Sequence, residues 1–254
     1  MEKINYKLII LVLASDDSEH SLKCRDIWFK YKDVNPNIKV LFVYGKLFGK
    51  LINSDTNCEM IFNDVQELYH FNIEKTLKAF EYISLNYEFE YLVRTNLSTF
   101  WDFNILLGKI NNLPKERCYS GHRWSIGPNS EHPDWFIGCN YNYPINYVSG
   151  TNIILSNDLI KIIVQNKKNI ITEMVEDVAI GQFLNSQCNI PIINSELLFM
   201  ENINNCDENL IINLINNSKI NLIPNYRVKS FTNRDIVDIF IYKILLKNIY
   251  NIIY

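Results

Sequence analysis

The chain has 254 residues, 48% hydrophobic and 21% charged, enough apolar material for one packed domain and too much for a disordered tail protein. With 25 Lys and Arg against 28 Asp and Glu, the net charge of −3 gives no field to hold a polyanion, which argues against nucleic acid as the main partner. Six cysteines without a C-x-x-C pair give no support to a zinc ribbon or thioredoxin-type centre and read as buried free thiols.

From Lys7 to Ala14 the residues run apolar without alternation, and Ser15-Asp16-Asp17-Ser18 follows, the pattern of a strand buried on both faces leading into a helix cap. The run is shorter than the ~20 residues of a membrane span. Leu22 to Tyr31 has helical spacing, and Ile38 to Tyr44 is a second strand closed by Gly45, so the chain opens with a βαβ unit. Glu74 to Leu85 predicts a helix, Tyr91 to Val93 a short strand and Asp102 to Ile110 a further helix. This alternation predicts an α/β fold, a doubly wound mixed sheet flanked by helices. Gly, Pro, Trp, Asn and Tyr cluster from Gly121 to Pro144, the texture of a long functional loop or a small antiparallel subdomain. A strand over Tyr147 to Leu155, a helix over Asn157 to Val164, a helix over Glu173 to Asn185 and a strand around Ile190 to Ile193 complete the alternation. A basic turn, Arg227 to Arg234, precedes a C-terminal helix in which Asp238, Lys243 and Lys247 interrupt the apolar run, as one buried face would require and a membrane span would not.

In doubly wound sheets ligands sit at the carboxyl ends of strands, so Ala14-Ser15-Asp16 should line a cleft. The segment lacks both G-x-G-x-x-G and G-x-x-x-x-G-K-[ST], which removes the dinucleotide and P-loop readings. A second candidate is the acidic pair Glu176-Asp177 at the start of a helix. It follows a strand-like segment whose Gly150 permits close backbone approach to a ligand.

Taken in order, several segments resemble the β-1,3-galactosyltransferase and Fringe-type family of inverting glycosyltransferases, which has a GT-A fold. They are Arg25-Asp26-Ile27-Trp28, Val40 to Gly45, Lys75-Thr76-Leu77, Ser149 to Ser156, and Glu176-Asp177-Val178 with Gly181. The resemblance implies one GT-A domain over 1–254, with a nucleotide-binding half at 1–113 and an acceptor-binding, catalytic half at 114–254. It makes Asp177 the base that takes the proton from an acceptor hydroxyl, with Glu176 orienting the site. The implied donor is a nucleotide sugar, a UDP-sugar above all, and the acceptor a glycan or glycosylated molecule. Ala14, Ser15, Asp16 and Arg25 would contact the nucleoside, with Arg94, Thr95, Asn96 and Ser98 under the ribose and diphosphate. Ser149, Gly150 and Thr151 would approach the substrate.

The family's D-x-D motif, which holds a divalent cation against the diphosphate, should fall at Arg94-Thr95-Asn96-Leu97-Ser98, where no carboxylate stands. Neutral Asn and Ser oxygens are weak ligands for Mg²⁺ or Mn²⁺. The same stretch is similar to the K-T-N-L segment of the core-2 β-1,6-N-acetylglucosaminyltransferases, a metal-independent family. The expectation is therefore a transferase with no required cofactor and no metal ligands. Arg227, Lys229 and Arg234 would neutralise the diphosphate, Arg227 and Lys229 pointing the same way at alternate positions. Two alternatives stay open: a sugar- or nucleotide-binding GT-A protein without turnover, and a Mn- or Mg-dependent transferase drawing a ligand from Asp102 or from an acidic residue of the loop. Trp124, Asp134, Trp135, Tyr141, Tyr143 and Tyr147 read as a substrate wall for stacking and hydrogen bonding, beside the loop histidines His122 and His132. The family's eukaryotic members are usually anchored in the Golgi by an N-terminal helix, and its absence from this sequence leads to the expectation of a cytosolic enzyme with no membrane span.

Overall fold

The structure, a computed structural model, describes residues 4–51, 53–68, 72–127, 143–201, 203, 206–231 and 233–254. The first apolar run forms β1 (Ile4–Leu13). Leu8, Ile10 and Val12 face one apolar layer with Trp28 and Tyr242, whereas Ile9, Leu11 and Leu13 face the other with Ile73, Phe80 and Val178. A strand covered on both faces has no need to alternate polar with apolar residues, which explains the unbroken run. Ser18 caps α1 (Glu19–Tyr31), its hydroxyl accepting from the Ser21 amide at 3.1 Å. β2 (Ile38–Tyr44) lies parallel to β1 over the range its composition predicts, and β3 (Glu59–Ile61) adds a parallel edge. α2 (Asn72–Asn86) returns the chain to β4 (Tyr87–Asn96), much longer than the expected three residues and parallel to β1 on its other side.

After β4 the chain makes β5 (Thr99–Trp101) and α3 (Phe103–Ile110), capped by Asp102, whose Oδ1 accepts from the amides of Asn104 and Ile105 at 3.0 and 3.1 Å. β6 (Tyr119–Gly121) and β7 (Arg123–Ile126) follow, and β7 pairs antiparallel with β8 (Ile145–Val148); most of the segment between them, expected as a long loop or a small antiparallel subdomain, lies outside the described residues. The single strand expected over 147–155 is two. β8 ends at Val148, the Asn152 amide bonds back to the Ser149 carbonyl at 3.1 Å, and β9 (Ile153–Ser156) starts after that turn. The long expected helix also begins late: after α4 (Asn157–Gln165), Val175 is extended, so α5 (Glu176–Gly181) starts at the acidic pair and runs into a π-helical turn over 182–187. β10 (Ile192–Asn194), β11 (Leu198–Phe199), the unanticipated α6 (Glu208–Ile220), β12 (Asn225–Arg227) and α7 (Arg234–Leu245) close the chain.

The strands assemble into a mixed seven-stranded sheet, β10-β6-β9-β4-β1-β2-β3, in which β9 runs antiparallel between β4 and β6. A three-stranded sheet, β11-β12-β5, clips the C-terminal segment to the end of β4, with Arg227 in register with Thr99. α7 reinforces that clip: the Tyr242 hydroxyl and Trp28 Nε1 both donate to the Leu97 carbonyl, at 3.0 and 3.2 Å. Lys243 and Lys247 are exposed, as a one-faced helix requires. Asp238 is fully buried, because the Ser230 amide and Arg234 Nε donate to it at 2.8 and 2.9 Å. Among the described residues no helix is long and apolar enough to cross a membrane. Among the described cysteines, Cys24, Cys58 and Cys118 are buried free thiols, Cys188 is partly buried and Cys206 is exposed, against the expectation that all would be buried.

Candidate active site

The carboxyl ends of β1 and β4, the turn between β8 and β9, the start of α5 and the segment after β12 surround one cavity of ≈ 760 Å³. Ligand sites commonly span roughly 300–1,000 Å³, so this one has room for a nucleotide carrying a small group. On one wall Asp177 is held twice, Oδ2 accepting from the Gly150 amide at 2.9 Å and Oδ1 from the Val178 amide at 3.0 Å. Burial raises the pKa of this carboxyl above its ordinary value, and the Arg94 charge and the two amides oppose that rise. A partly desolvated carboxylate with a raised pKa is a stronger proton acceptor than an exposed one.

Beside it lies a closed charge clamp. Arg94 Nε donates to Glu176 Oε1 at 2.7 Å, and a second Arg94 nitrogen pairs with Glu176 Oε2. Glu176 Oε1 also accepts from the Thr76 hydroxyl at 2.5 Å, and Arg94 donates to the Gly150 carbonyl. Arg94 and Glu176 are only 6% and 4% exposed. The clamp thus grips the Gly150 peptide from its carbonyl side while Asp177 holds the amide. A Cβ on Gly150 would stand 2.5 Å from Arg94 Nη1, so only glycine fits between them. Gly181 has a parallel reason: a Cβ there would stand 2.7 Å from the Tyr147 Cα, where α5 packs on β8. These contacts explain why the E-D-V-x-x-G segment and the glycine-bearing strand work as one unit.

Also lining the cavity, Arg227 Nη1 donates to Asn96 Oδ1 at 2.6 Å and to the Ser98 hydroxyl. The same Asn96 oxygen accepts from the Ser98 and Thr99 hydroxyls, each at 3.0 Å. Three donors therefore saturate the side-chain oxygen standing where a metal-binding carboxylate is expected, and one of them is a guanidinium. A divalent cation needs lone pairs at that position and no positive neighbour, so these residues do not fit one. Among the described residues no three His, Cys, Asp or Glu side chains gather to hold a metal ion. Asp102, the alternative ligand, is committed to its helix cap and does not line the cavity.

Lys229 and Arg234 line the cavity beside Arg227. Burial lowers the pKa of Lys229, and the neighbouring charges of Arg227 and Arg234 lower it further. Among the described residues Lys229 has no ion-pair partner within 4 Å, and Arg227 meets Glu201 only at 3.6 Å. Such a crowd of cations is stabilised by an anion entering among them.

The structure brings Ala14, Ser15, Asn96, Ser98, Trp124, Ser149, Gly150 and Thr151 to the same cavity. It sends three other expected residues elsewhere. Asp16 is fully buried, and its carboxylate accepts from the amides of Phe48, Lys50 and Leu51 at 2.8, 2.8 and 3.1 Å, tying down the loop after β2. Arg25 forks onto Glu59 at 2.6 and 3.0 Å and stacks on Phe29. Thr95 is buried between the Thr151 carbonyl and Trp101 Nε1, at 2.7 and 3.1 Å. Arg94 reaches the cavity, but its charge is spent on Glu176 instead of on a diphosphate. Asp134, Trp135, His132 and Tyr141 lie outside the described residues. Tyr143 does not line the cavity; Tyr147 does.

Sequence reasoning gave no site role to Lys75, Glu67 or His20, all of which line the cavity. Lys75 is almost fully buried, pairs with Glu67 and donates to the Ala14 carbonyl at 3.1 Å, so it fixes the end of β1. Its place in the Lys75-Thr76-Leu77 segment was the available signal. His20 packs against α7, 3.4 Å from Asp238 Oδ2 and 3.5 Å from Asp235 Oδ1; nothing local in the sequence links positions so far apart.

The family model described as Galactosyltransferase matches residues 23–196, which include β4, the turn around Gly150 and the whole of α5. No curated protein matches the chain.

Proposed function

Because the chain belongs to the galactosyltransferase family, and is thereby a glycosyltransferase, we propose that it transfers a hexose from a UDP-sugar to a glycan hydroxyl with inversion and without a bound metal ion. The observation that carries this reading is the pairing of opposite chemistries in one cavity: an amide-held carboxylate, Asp177, and the Arg227 guanidinium seated on Asn96 both line it.

In this mechanism the acceptor hydroxyl attacks the anomeric carbon from the side of Asp177, which takes the hydroxyl proton as the new C–O bond forms. The bond to the diphosphate breaks on the opposite face, and its electron pair leaves with the terminal phosphate oxygen. One displacement inverts the configuration. The charge developing on the leaving diphosphate is met by Arg227 and Lys229, with Arg234, itself paired with Asp238, adding its remaining N–H donors. Arg227 is oriented by the neutral Asn96 and Ser98, and its one anionic neighbour among the described residues, Glu201, stands off at 3.6 Å. Glu176 and Arg94 act behind the base, holding the Gly150 peptide that holds Asp177.

The test is release of UDP and of a glycosylated product from a panel of UDP-sugars and oligosaccharide acceptors. Release that continues in excess chelator and disappears in Asp177→Asn supports the proposal. The loss of D-x-D carboxylates also favours a protein that binds a nucleotide sugar without turnover. Tight UDP-sugar binding with no UDP release in any divalent ion would establish that second reading instead.

A further inference from the structure

Asp238 of α7 is a fully buried carboxylate to which the proposed chemistry gives no role, although the basic segment between β12 and α7 is tied to it. A carboxylate taken out of water persists only where donors match it. Here the Ser230 amide donates to Oδ1 at 2.8 Å, Arg234 Nε donates to Oδ2 at 2.9 Å, and His20 Nε2 of α1 stands 3.4 Å from Oδ2. Burial pushes the pKa of this carboxyl up, but the donors from His20, Ser230 and Arg234 outweigh it and hold the group below its ordinary value, so it is ionised at neutral pH.

These bonds fix where the segment's cations lie. Arg227 is seated on Asn96 and Ser98. Beyond it Val228 is buried with its amide on the Ser98 carbonyl at 2.8 Å, and Ser230 is buried with its amide on Asp238. With both neighbours turned inward, Lys229 turns outward and lines the cavity. Asn233 then takes a left-handed backbone, φ 40° and ψ 60°, which Asn tolerates better than most residues, and the chain turns into α7. Arg234 opens that helix one turn before Asp238 and lines the cavity as well. Lys23 and His20 of α1 meet the neighbouring Asp235 at 3.4 and 3.5 Å, so the start of α7 is fastened to α1 from a second acid. Burial lowers the Lys229 pKa, and the charges of Arg227 and Arg234 lower it further, the mark of mutual repulsion. Untied, such a segment would relax by swinging its charges apart into water.

Resting on the transferase reading, we propose that Asp238 is a positioning residue for the diphosphate: touching no ligand itself, it sets Lys229 and Arg234 over the cavity through the Ser230 amide and the Arg234 guanidinium. Such an acid has two effects of opposite sign. Its charge repels an incoming diphosphate, while its bonds remove the ordering that a free segment would undergo on binding. The second effect is the larger, because the Asp238 charge is already matched by Arg234 at 2.9 Å.

Calorimetric titration of UDP into the native protein and Asp238→Asn, which keeps the shape and removes the charge, reads the balance directly. UDP should bind the variant about tenfold more weakly. Tighter binding would mean that Asp238 only withholds Arg234, and native affinity in a variant that merely melts lower would mean that it only supports the fold; either result overturns the assignment. Arg234→Met should also weaken UDP binding, and the double variant should lose less than the product of the two single losses, since both break one tie. Losses that multiply in full would contradict it. Amide exchange in the native, UDP-free protein requires no variant: the Ser230 amide should be protected, and exchange at the rate of an unbonded loop amide would overturn the assignment even if Asp238→Asn did not fold. Failure of the native protein to bind UDP would overturn the transferase reading and this assignment with it, whereas equal UDP binding by the native protein and the variant overturns the assignment alone.

Discussion

Arg94 and Arg227 line the same cavity and have opposite surroundings. Arg94 lies in the sheet, forked onto the buried carboxylate of Glu176 and bonded to the Gly150 carbonyl, so its charge is neutralised inside the protein. Arg227 lies on a short strand supplied by the C-terminal segment; its close partners are the neutral Asn96 and Ser98, and its cationic neighbours are Lys229 and Arg234. A tightly forked cation stabilises architecture, whereas an oriented cation whose anion, Glu201, meets it only at 3.6 Å is available to a ligand. The two arginines also divide along the sequence, Arg94 falling within the segment matched by the family and Arg227 beyond it.

The largest expected effect tests what the Arg94 clamp serves. Asp177→Asn should lower the transfer rate at least about 100-fold, the usual scale of a general base. It should not lower stability at neutral pH. The folded-state pKa of Asp177 is raised above the ordinary 3.8, so the folded protein holds that proton more tightly than the unfolded chain does. Its contribution therefore favours folding below 3.8 and is lost as pH rises through the raised value, and the amide removes a burial penalty present at pH 7. Melting curves alongside the assay check both halves. In the native enzyme, kcat/KM should rise with pH through that raised value, an acid limb above the ordinary aspartate range.

Next comes the contrast itself. Arg94→Met strands a buried Glu176 charge and should destabilise the fold by about 3–5 kcal/mol in denaturant titrations, with Arg94→Met/Glu176→Leu recovering much of the loss. Removing the Arg94 charge, which opposes the raised pKa of Asp177, should also move the acid limb to higher pH. Arg227→Met should leave the melting temperature almost unchanged and weaken UDP binding by about tenfold or more, the scale of a lost charge-assisted hydrogen bond. An Arg227 variant that unfolds while retaining UDP affinity would reverse the assignment of the two arginines.

The smallest effect belongs to Lys229, exposed at the cavity edge. Lys229→Ala should weaken UDP binding by a few-fold, and less as salt is added, because an exposed cation is screened. Calorimetric titration at two ionic strengths resolves the difference.

Much of the frame was legible because burial writes itself into sequence as period. β1 and β2 are covered on both faces and read as unbroken apolar runs, and α2 reads as a helix from spacing alone. The C-terminal sheet was not legible, since strands of two or three residues such as β11 and β12 are too short to repeat the two-residue period. The break between β8 and β9 was hidden because Ser149 to Asn152 lies between two apolar stretches that together look like one strand. In the site, Asp177 and the tail cations could be named from residue type and order. What each charge is paired with could not. Arg25 with Glu59, Asp16 with the loop after β2, and Arg94 with Glu176 are long-range partnerships, and only the fold reveals which charges remain available to a ligand.

The proposed replacement of a metal by Arg227 at Asn96 is the centre of the account, and one measurement reaches it directly: UDP release and product formation by the purified enzyme in excess EDTA, before and after addition of Mn²⁺ or Mg²⁺. Unchanged turnover in EDTA, no gain on adding either ion, and collapse in Arg227→Met are the predicted result. Turnover abolished by EDTA and restored by Mn²⁺ would contradict it.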